Sequence, residues 1–229
     1  AEQEIVAALK RSFGEYDPHH SWTALIVSFE LFNRLSLRWR LSINIRFREI
    51  CFPIFKPGWR SNMISIDKKS GTLIVVLHEI YGINQHIQNF CSLLSDEGYD
   101  VICPNLIGKE TPFDYSQEEA AYAHFMGNIG FERATYHIKS LLLSIRARYK
   151  KVLIVGFSIG ATMAWLCSQE KYVDGIVGYY GSRIRNYLEI TPHCPTLLFF
   201  PQEERSFNVD ELISTLDNRN IRVHKFNGQ

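Results

Sequence analysis

A serine flanked by glycines is the pattern in this sequence that most directly suggests chemistry. The pentapeptide GFSIG at 156–160 fits G-x-S-x-G and overlaps the end of the apolar run KVLIVG at 151–156. In a nucleophile elbow, such glycines allow a sharp, strained turn between a strand and a helix, which lifts the serine hydroxyl above the sheet edge. Because an apolar strand precedes the motif and a helical stretch follows it, we predict that Ser158 is a nucleophile. The alternative is an incidental glycine-rich turn.

A serine nucleophile also needs an acid that orients its base. In this type of site the acid follows the serine along the chain, in the loop after the next-but-one strand. Here that loop is 201–205, directly after the apolar run TLLFF, and it offers the adjacent carboxylates Glu203 and Glu204. Surface loops also carry glutamates without any catalytic task, so a solvated acidic turn is the alternative interpretation.

An oxyanion hole requires backbone N–H groups from the residue after the nucleophile and from the loop after an early strand. Ile159 supplies the first of these groups. The turn HEIYG at 78–82 follows the apolar run TLIVVL and is placed to supply the second. These two segments are therefore expected to meet beside Ser158.

The general base has no obvious candidate among the histidines. His78 and His124 lie nearest to the expected pocket, although burial and a backbone hydrogen bond would explain His78 at a strand end equally well. The other histidines are interpreted as structural, exposed or on helix surfaces. They are His19 and His20 at a helix entry, His86 and His137 on helix surfaces, and His193 and His224 near the last strands.

From about residue 71 onward, apolar runs alternate with helical stretches, which is typical of a parallel sheet covered on both faces. Strands are predicted at 72–77, 100–103, 151–156, 175–180, 196–200 and 221–226. A helix is predicted over 83–98, with Gly98 as its stop, and one or two longer helices over 117–148. The pattern predicts a doubly wound α/β domain.

The first sixty residues differ in kind. Over 37–48, apolar residues alternate with mostly basic ones, which predicts a half-buried strand that pairs with a short strand at 63–66. Its arginine-rich face suggests a solvated surface or a subunit contact rather than nucleic-acid binding, because no aromatic platform accompanies it. We divide the chain into an N-terminal extension of unassigned role, 1–60, and a catalytic domain, 61–229.

Composition excludes several classes of function. The formal net charge of the 229 residues is +1 and 46% of them are hydrophobic, so bulk charge does not favour a polyanion. The five cysteines form no C-x-x-C pair, and we find no metal or nucleotide motif, so no cofactor is expected. No apolar run reaches the roughly 20 residues of a membrane span, and no signal peptide is evident. We expect a cytoplasmic protein without membrane or nucleic-acid partners.

Four sequence blocks resemble the dienelactone hydrolase family. They are HEIYGIN at 78–84, CPNLIGK at 103–109, GFSIGA at 156–161 and YVDGIVGYYG at 172–181, in the family's order and at comparable separations. The resemblance covers about residues 70–229. It implies the α/β-hydrolase fold, a mostly parallel doubly wound sheet, here with an extra N-terminal helix and strand segment. It also implies hydrolysis of a small-molecule carboxylic ester.

The resemblance assigns roles to individual residues. Ser158 falls where dienelactone hydrolase itself has a cysteine nucleophile, and Glu79 matches the glutamate that contacts the resting nucleophile. Ile80 and Ile159 match the donors of the oxyanion hole. Tyr180 lies in a block near the pocket.

Two further positions follow from the resemblance. Glu204 takes the place of the triad acid, which is usually aspartate in the family. Lys109 falls where an arginine binds the substrate carboxylate. A lysine keeps the cation but loses two-pronged recognition of a carboxylate, and serine in place of cysteine favours an ordinary esterase over strict dienelactone activity.

The family's catalytic histidine follows a turn that corresponds to 226–228 in this sequence, and we expect the natural chain to continue past Gln229 to that histidine. Two alternatives remain open. The first is a non-catalytic binding protein built on a hydrolase fold that lacks the histidine. The second makes the N-terminal segment an interaction module that recruits a hydrolase of secondary importance.

Overall fold

The computed structural model describes residues 63–204, 207–216 and 221–226. The predicted extension 1–60, with its alternating segment at 37–48, lies outside the described residues.

Seven strands of the described residues form one sheet, in the order β1-β3-β2-β4-β5-β6-β7. Only the β1–β3 pair is antiparallel, and the other neighbours are parallel. The strands are β1 (Ile64–Ile66), β2 (Thr72–Leu77), β3 (Asp100–Cys103), β4 (Lys151–Phe157), β5 (Gly175–Tyr179), β6 (Thr196–Pro201) and β7 (Ile221–Phe226). The α/β-hydrolase sheet expected from the sequence is confirmed, and each of its six predicted strands agrees to within one residue at either end.

Helices connect the parallel strands. They are α1 (Gln85–Asp96), α2 (Glu118–Asn128), α3 (Phe131–Ile145), α4 (Ile159–Cys167) and α5 (Val209–Leu216). Helix α1 shows why the two ends of a helix are predictable from the sequence. The Asn84 side chain accepts a hydrogen bond from the Ile87 N–H, and Gly98 adopts a φ of 87° just beyond the last turn. A polar N-cap and a left-handed glycine are the usual start and stop of a helix.

The core lies on both faces of the sheet. Leu73, Val75 and Leu77 of β2 belong to the cluster that includes residues of α3 and α4, whereas Ile74 and Val76 face the cluster that includes α1. Five consecutive residues of β2 are fully buried because both of its faces are covered. None of the helices in the described ranges is long and apolar enough to cross a bilayer.

The prediction that His137 lies on a helix surface is wrong. His137 is buried in α3, where it falls in the same inward-facing stripe as Ala134, Ile138 and Leu141. The wide buried face of α3 includes this position because residues three and four apart share one side of a helix. His86 is also partly buried, and its ring centroid lies 5.3 Å from that of Phe157.

The strand order decides which loops can form a site. Strand β4 lies between β2 and β5, and β6 is the next strand beyond β5. Since these strands are parallel, their carboxyl ends share one edge, where open α/β sheets bind ligands. The residues that follow β2, β4, β5 and β6 are therefore neighbours although they are far apart in sequence.

Candidate active site

Ser158 forms a strained turn between β4 and α4. Its backbone has φ 53° and ψ −114°, which a non-glycine residue rarely adopts. The Ser158 N–H donates to the carbonyl of Tyr179 at 2.9 Å, which ties the turn to the neighbouring strand β5. A strained backbone persists only when its surroundings hold it in place, and such residues concentrate at active sites. The geometry is that of a nucleophile elbow.

The two glycines of the motif are required by close backbone contacts. A Cβ atom on Gly156 would overlap the carbonyl oxygen of Gly160, on the first turn of α4. A Cβ atom on Gly160 would overlap the carbonyl oxygen of Leu77, the last residue of β2. The absence of a side chain at Gly156 allows α4 to begin directly against β4, and its absence at Gly160 allows α4 to contact the end of β2.

This close approach brings together the two segments predicted to form the oxyanion hole. Ile159 begins α4, and Ile80 belongs to the turn that follows Leu77. Both side chains are buried, with 4% and 7% of their surface exposed. The predicted donors therefore lie on segments that touch through Gly160 and Leu77, and their task in catalysis stays a prediction.

His78 holds the turn that contains Ile80. Its Nδ1 lies 2.6 Å from the carbonyl oxygen of Glu79, and its Nε2 accepts a hydrogen bond from the Leu106 N–H at 2.8 Å. These partners require the proton to sit on Nδ1. Burial lowers the pKa of His78 to about 4, so the ring is neutral near pH 7. Both ring nitrogens are engaged with backbone, which suits a structural clamp rather than a general base.

We expect His78 to make the protein sensitive to acid. Its pKa is about 4 in the folded protein against 6.5 for an unperturbed histidine, so the unfolded chain binds more protons between these values. The free energy of unfolding should therefore fall as pH drops from about 6.5 towards 4, by roughly 3 kcal/mol in total. Denaturant titrations of the wild type and His78→Gln at both pH values measure this effect.

Glutamine keeps an acceptor for the Leu106 N–H but does not titrate, so the variant should lose less stability on acidification than the wild type. His86, whose pKa is also lowered to about 4 by burial, is present in both proteins and cancels in the comparison. Equal acid-induced losses in both proteins would contradict the assignment.

A hydrogen bond between Tyr180 and Glu79 passes over the end of β4. The Tyr180 hydroxyl donates to Oε1 of Glu79 at 2.7 Å. Glu79 follows β2 and Tyr180 follows β5, and these strands flank β4 on its two sides. The pair therefore lies beside Ser158, which follows β4. Tyr180 is held with a φ of 44°, a second strained residue at this edge.

The second carboxylate oxygen of Glu79 is an open acceptor. Only 8% of the Glu79 surface is exposed, and its Oε2 has no hydrogen-bond partner among the residues that the structure describes. Burial raises the pKa of Glu79, and the bond from Tyr180 partly opposes this shift. A buried acceptor without a donor is costly, so the site is suited to receive a hydroxyl from a nucleophile or a ligand.

The loop that is predicted to carry the triad acid follows β6 at the same edge. Glu204 is partly buried, whereas Glu203 is exposed. Burial raises the pKa of Glu204 and the nearby Arg185 guanidinium lowers it. Arg185 donates to the carbonyl of Ser182 and lies 4.9 Å from the centre of the Phe207 ring. Of the two predicted carboxylates, Glu204 is therefore the more buried one, and it lies near the Arg185 guanidinium.

Lys109 lies in the segment between β3 and α2 rather than in the turn at Ser158. Its ammonium group is 4.3 Å from the centre of the Phe113 ring, and the residue is exposed. The Phe113 N–H donates to the carbonyl of Tyr81 at 2.8 Å, which attaches this segment to the oxyanion turn. Lys109 thus contacts Phe113, which in turn bonds to the oxyanion turn. The structure shows no bond between Lys109 and Ser158.

The other histidine near the predicted pocket is also engaged with backbone. His124 Nε2 lies 2.9 Å from the carbonyl oxygen of Ile107. The His224 ring on β7 stacks on Phe199, with centroids 5.5 Å apart, and His193 is exposed. Within the described ranges, no group of three or more His, Cys, Asp or Glu residues is placed to hold a metal ion.

Sequence reasoning missed two tyrosines at this edge. Tyr81 directly follows Ile80, and its ring packs edge-on against Tyr115, with centroids 4.7 Å apart. The available signal was the position of Tyr81 one residue after a predicted oxyanion donor. Tyr115 offered no such signal, because only the folded chain brings it to Tyr81 from 34 positions away.

Comparison with known proteins agrees with this architecture. The uncharacterized protein YczH of Bacillus subtilis (strain 168) is 38% identical over 157 residues, which are 67% of this chain and 77% of YczH. A carboxymethylenebutenolidase of Pseudomonas putida is 31% identical over 134 residues, 55% of this chain. The match spans only 56% of that enzyme's length.

Solved structures share the fold. A putative dienelactone hydrolase from Klebsiella pneumoniae superposes with a TM-score of 0.54 at 17% sequence identity, over 67% of this chain and 72% of that one. The family model for the dienelactone hydrolase family matches residues 62–228, most of the chain. The matched residues include Ser158 and all seven strands of the sheet. The chain belongs to the dienelactone hydrolase family.

Proposed function

We propose that this protein is a serine esterase that hydrolyses a carboxylic ester of a small molecule through an acyl-enzyme. The observation that carries the proposal is the strained backbone of Ser158 at the junction of β4 and α4. Membership of a family of ester hydrolases supports the reaction class. A strained turn at this position costs free energy, and a nucleophile that must stand above the sheet gives a reason for it.

In the first step, the Ser158 hydroxyl oxygen bonds to the acyl carbon while its proton moves to the general base. The carbonyl oxygen becomes an oxyanion, which the backbone N–H groups of Ile80 and Ile159 stabilise. The carbon–oxygen bond to the alcohol then breaks, and the base returns the proton to the leaving alcohol. Water attacks the acyl-enzyme in the same way and releases the acid.

Glu204 would orient the base and stabilise its charged form, as the acid of a triad does. Its place after β6 puts it on the same edge as Ser158. We propose that a histidine acts as this base. His78 and His124 are poorly suited to act as the base. Both ring nitrogens of His78 bond to backbone groups, and those of His124 bond to the Ile107 carbonyl and to the Asn128 side chain.

Glu79 would accept the hydroxyl of the resting Ser158 through its open oxygen Oε2. The bond from Tyr180 fixes Oε1, so the carboxyl group is oriented before substrate arrives. Preorganised groups of this kind cost no rearrangement during the reaction. In this proposal Tyr180 is a positioning residue that acts through Glu79.

Turnover of a short-chain aryl ester tests the proposed function against a non-catalytic binding protein. A serine esterase should release the phenol with a burst equal to the enzyme concentration if deacylation is slow, and mass spectrometry should find the acyl group on Ser158. Binding of the ester without release of phenol, or labelling of another residue, would contradict the proposal.

Lys109 is proposed to favour substrates that carry a carboxylate. An ammonium group attracts a carboxylate as a point charge, without the two-pronged bond that an arginine makes. We expect Lys109→Met to lower kcat/KM for an anionic ester by about 2- to 5-fold relative to its neutral amide-capped analogue, because the group is exposed and screened. The measurement is the ratio of the two kcat/KM values in each protein.

Lys225 provides a control for the Lys109 test. It forms an ion pair with Asp210, on α5, at 2.7 Å and is not assigned to the site. Lys225→Met removes the same charge without changing the segment that contains Lys109. The ratio of its two kcat/KM values should therefore equal that of the wild type. If Lys109→Met leaves the ratio unchanged as well, Lys109 does not bind substrate.

A further inference from the structure

An aromatic surface adjoins the oxyanion turn. Tyr81 follows Ile80 directly, and Tyr115 lies in the short 3-10 turn Tyr115–Gln117 that precedes α2. Their rings pack edge to face, with centroids 4.7 Å apart and planes inclined at 68°. We call this pair the aromatic wall. It belongs to the loops at the carboxyl edge of the sheet, where the candidate active site lies.

The aromatic wall is fixed by hydrogen bonds around it. Asn84 donates from its side-chain nitrogen to the Tyr115 hydroxyl at 3.0 Å, while its side-chain oxygen accepts from the Ile87 N–H and caps α1. The N–H of Phe113 donates to the carbonyl of Tyr81. The Tyr115 hydroxyl and the Tyr81 backbone are therefore held before any ligand binds, which reduces the entropy lost on binding.

The aromatic wall remains open to a ligand. Tyr115 is 58% exposed although its hydroxyl is bonded, so part of its ring contacts solvent. Burial raises the pKa of Tyr115, and the carboxylate of Glu79 raises it further. The pKa of Tyr81 is raised to about 12, chiefly by burial and also by Glu118 and Glu79. Both phenols are thus neutral near pH 7, and both lie within electrostatic reach of Glu79.

We propose that the aromatic wall binds a planar aromatic group of the ester substrate, on either its acyl or its alcohol side. This inference rests on the proposed function and adds a substrate class to it. Aromatic rings attract one another in edge-to-face and offset-stacked arrangements beyond the effect of buried area, and a saturated ring of similar size does not share this attraction. An open, fixed tyrosine pair beside the carbonyl site therefore distinguishes aromatic from saturated esters.

The test compares matched esters in Tyr115→Leu. Ethyl phenylacetate against ethyl cyclohexylacetate reports the acyl side, and benzyl acetate against cyclohexylmethyl acetate reports the alcohol side. We expect Tyr115→Leu to lower kcat/KM for the aromatic member of one pair by about 3- to 10-fold, mostly through KM, and to change the saturated member little. Tyr115→Phe keeps the ring and should keep the preference.

Tyr136→Leu is the matched control, because Tyr136 is 66% exposed on α3, outside the candidate site. It should leave both ratios unchanged. An unchanged ratio in Tyr115→Leu, or an equal change in Tyr136→Leu, would overturn the proposal. Binding separates this result from failure of the proposed function. In Ser158→Ala protein, NMR titration should show tighter binding of the aromatic amide in one of two pairs. Phenylacetamide against cyclohexylacetamide reports the acyl side, and N-benzylacetamide against N-(cyclohexylmethyl)acetamide reports the alcohol side. The added Tyr115→Leu change should abolish the difference whether or not the protein hydrolyses esters.

Discussion

Ser158→Ala should reduce ester hydrolysis by about 10⁶-fold, the scale of loss seen when the nucleophile of a serine hydrolase is removed. Alanine has no hydroxyl to attack the acyl carbon, so no acyl-enzyme can form. The fold should survive, because the packing of α4 against β2 depends on Gly156 and Gly160 rather than on the serine side chain. The measurement is the rate of phenol release from a short-chain aryl ester, together with the mass of the protein after incubation.

Ser140→Ala provides the control for this prediction. Ser140 lies on α3, where its hydroxyl donates to the carbonyl of Tyr136, and it has no part in the candidate site. This variant should hydrolyse the ester at the wild-type rate. A fluorophosphonate probe should label the wild type and Ser140→Ala but not Ser158→Ala. Labelling or acylation of Ser158→Ala would show that another residue is the nucleophile.

Glu204→Gln should lower kcat by roughly 10⁴-fold, the loss found when a triad acid becomes an amide. Glutamine keeps the size of the side chain but removes the charge that stabilises the protonated base, and it can favour the wrong histidine tautomer. Glu204 is partly buried and lies near Arg185. A neutral side chain therefore also removes an attraction to Arg185 that solvent screens only in part. Steady-state kinetics at neutral pH measure the effect.

Glu203→Gln is the natural control, since Glu203 is the adjacent carboxylate in the same loop and is exposed to solvent. Its expected effect is below about 2-fold, because a solvent-exposed charge is strongly screened. A large loss in Glu203→Gln with little change in Glu204→Gln would place the acid one residue earlier. Similar small losses in both variants would exclude this loop as the source of the acid.

The centre of the sheet was predictable from local sequence because its inner strands are buried on both faces. Apolar runs such as 72–77 and 196–200 mark strands directly, and their bounds agree with the structure to within one residue. The end of helix α1 was predictable from a local signal of another kind, because Gly98, a usual helix stop, lies just past it. His137 shows the limit of this approach. A histidine in a helix suggests a surface position by composition, but the packing of α3 buries it.

The sequence by itself indicated a sharp turn at Ser158, because two glycines flank this serine between an apolar strand and a helical stretch. It also indicated the family through four separate blocks. Only the tertiary structure decided which distant groups meet at the elbow. The Tyr180–Glu79 bond joins residues 101 positions apart, and the bond from Leu106 to His78 joins residues 28 positions apart. The first contact follows from β4 lying between β2 and β5, and the second from β3 lying beside β2. Short-range patterns do not encode this strand order.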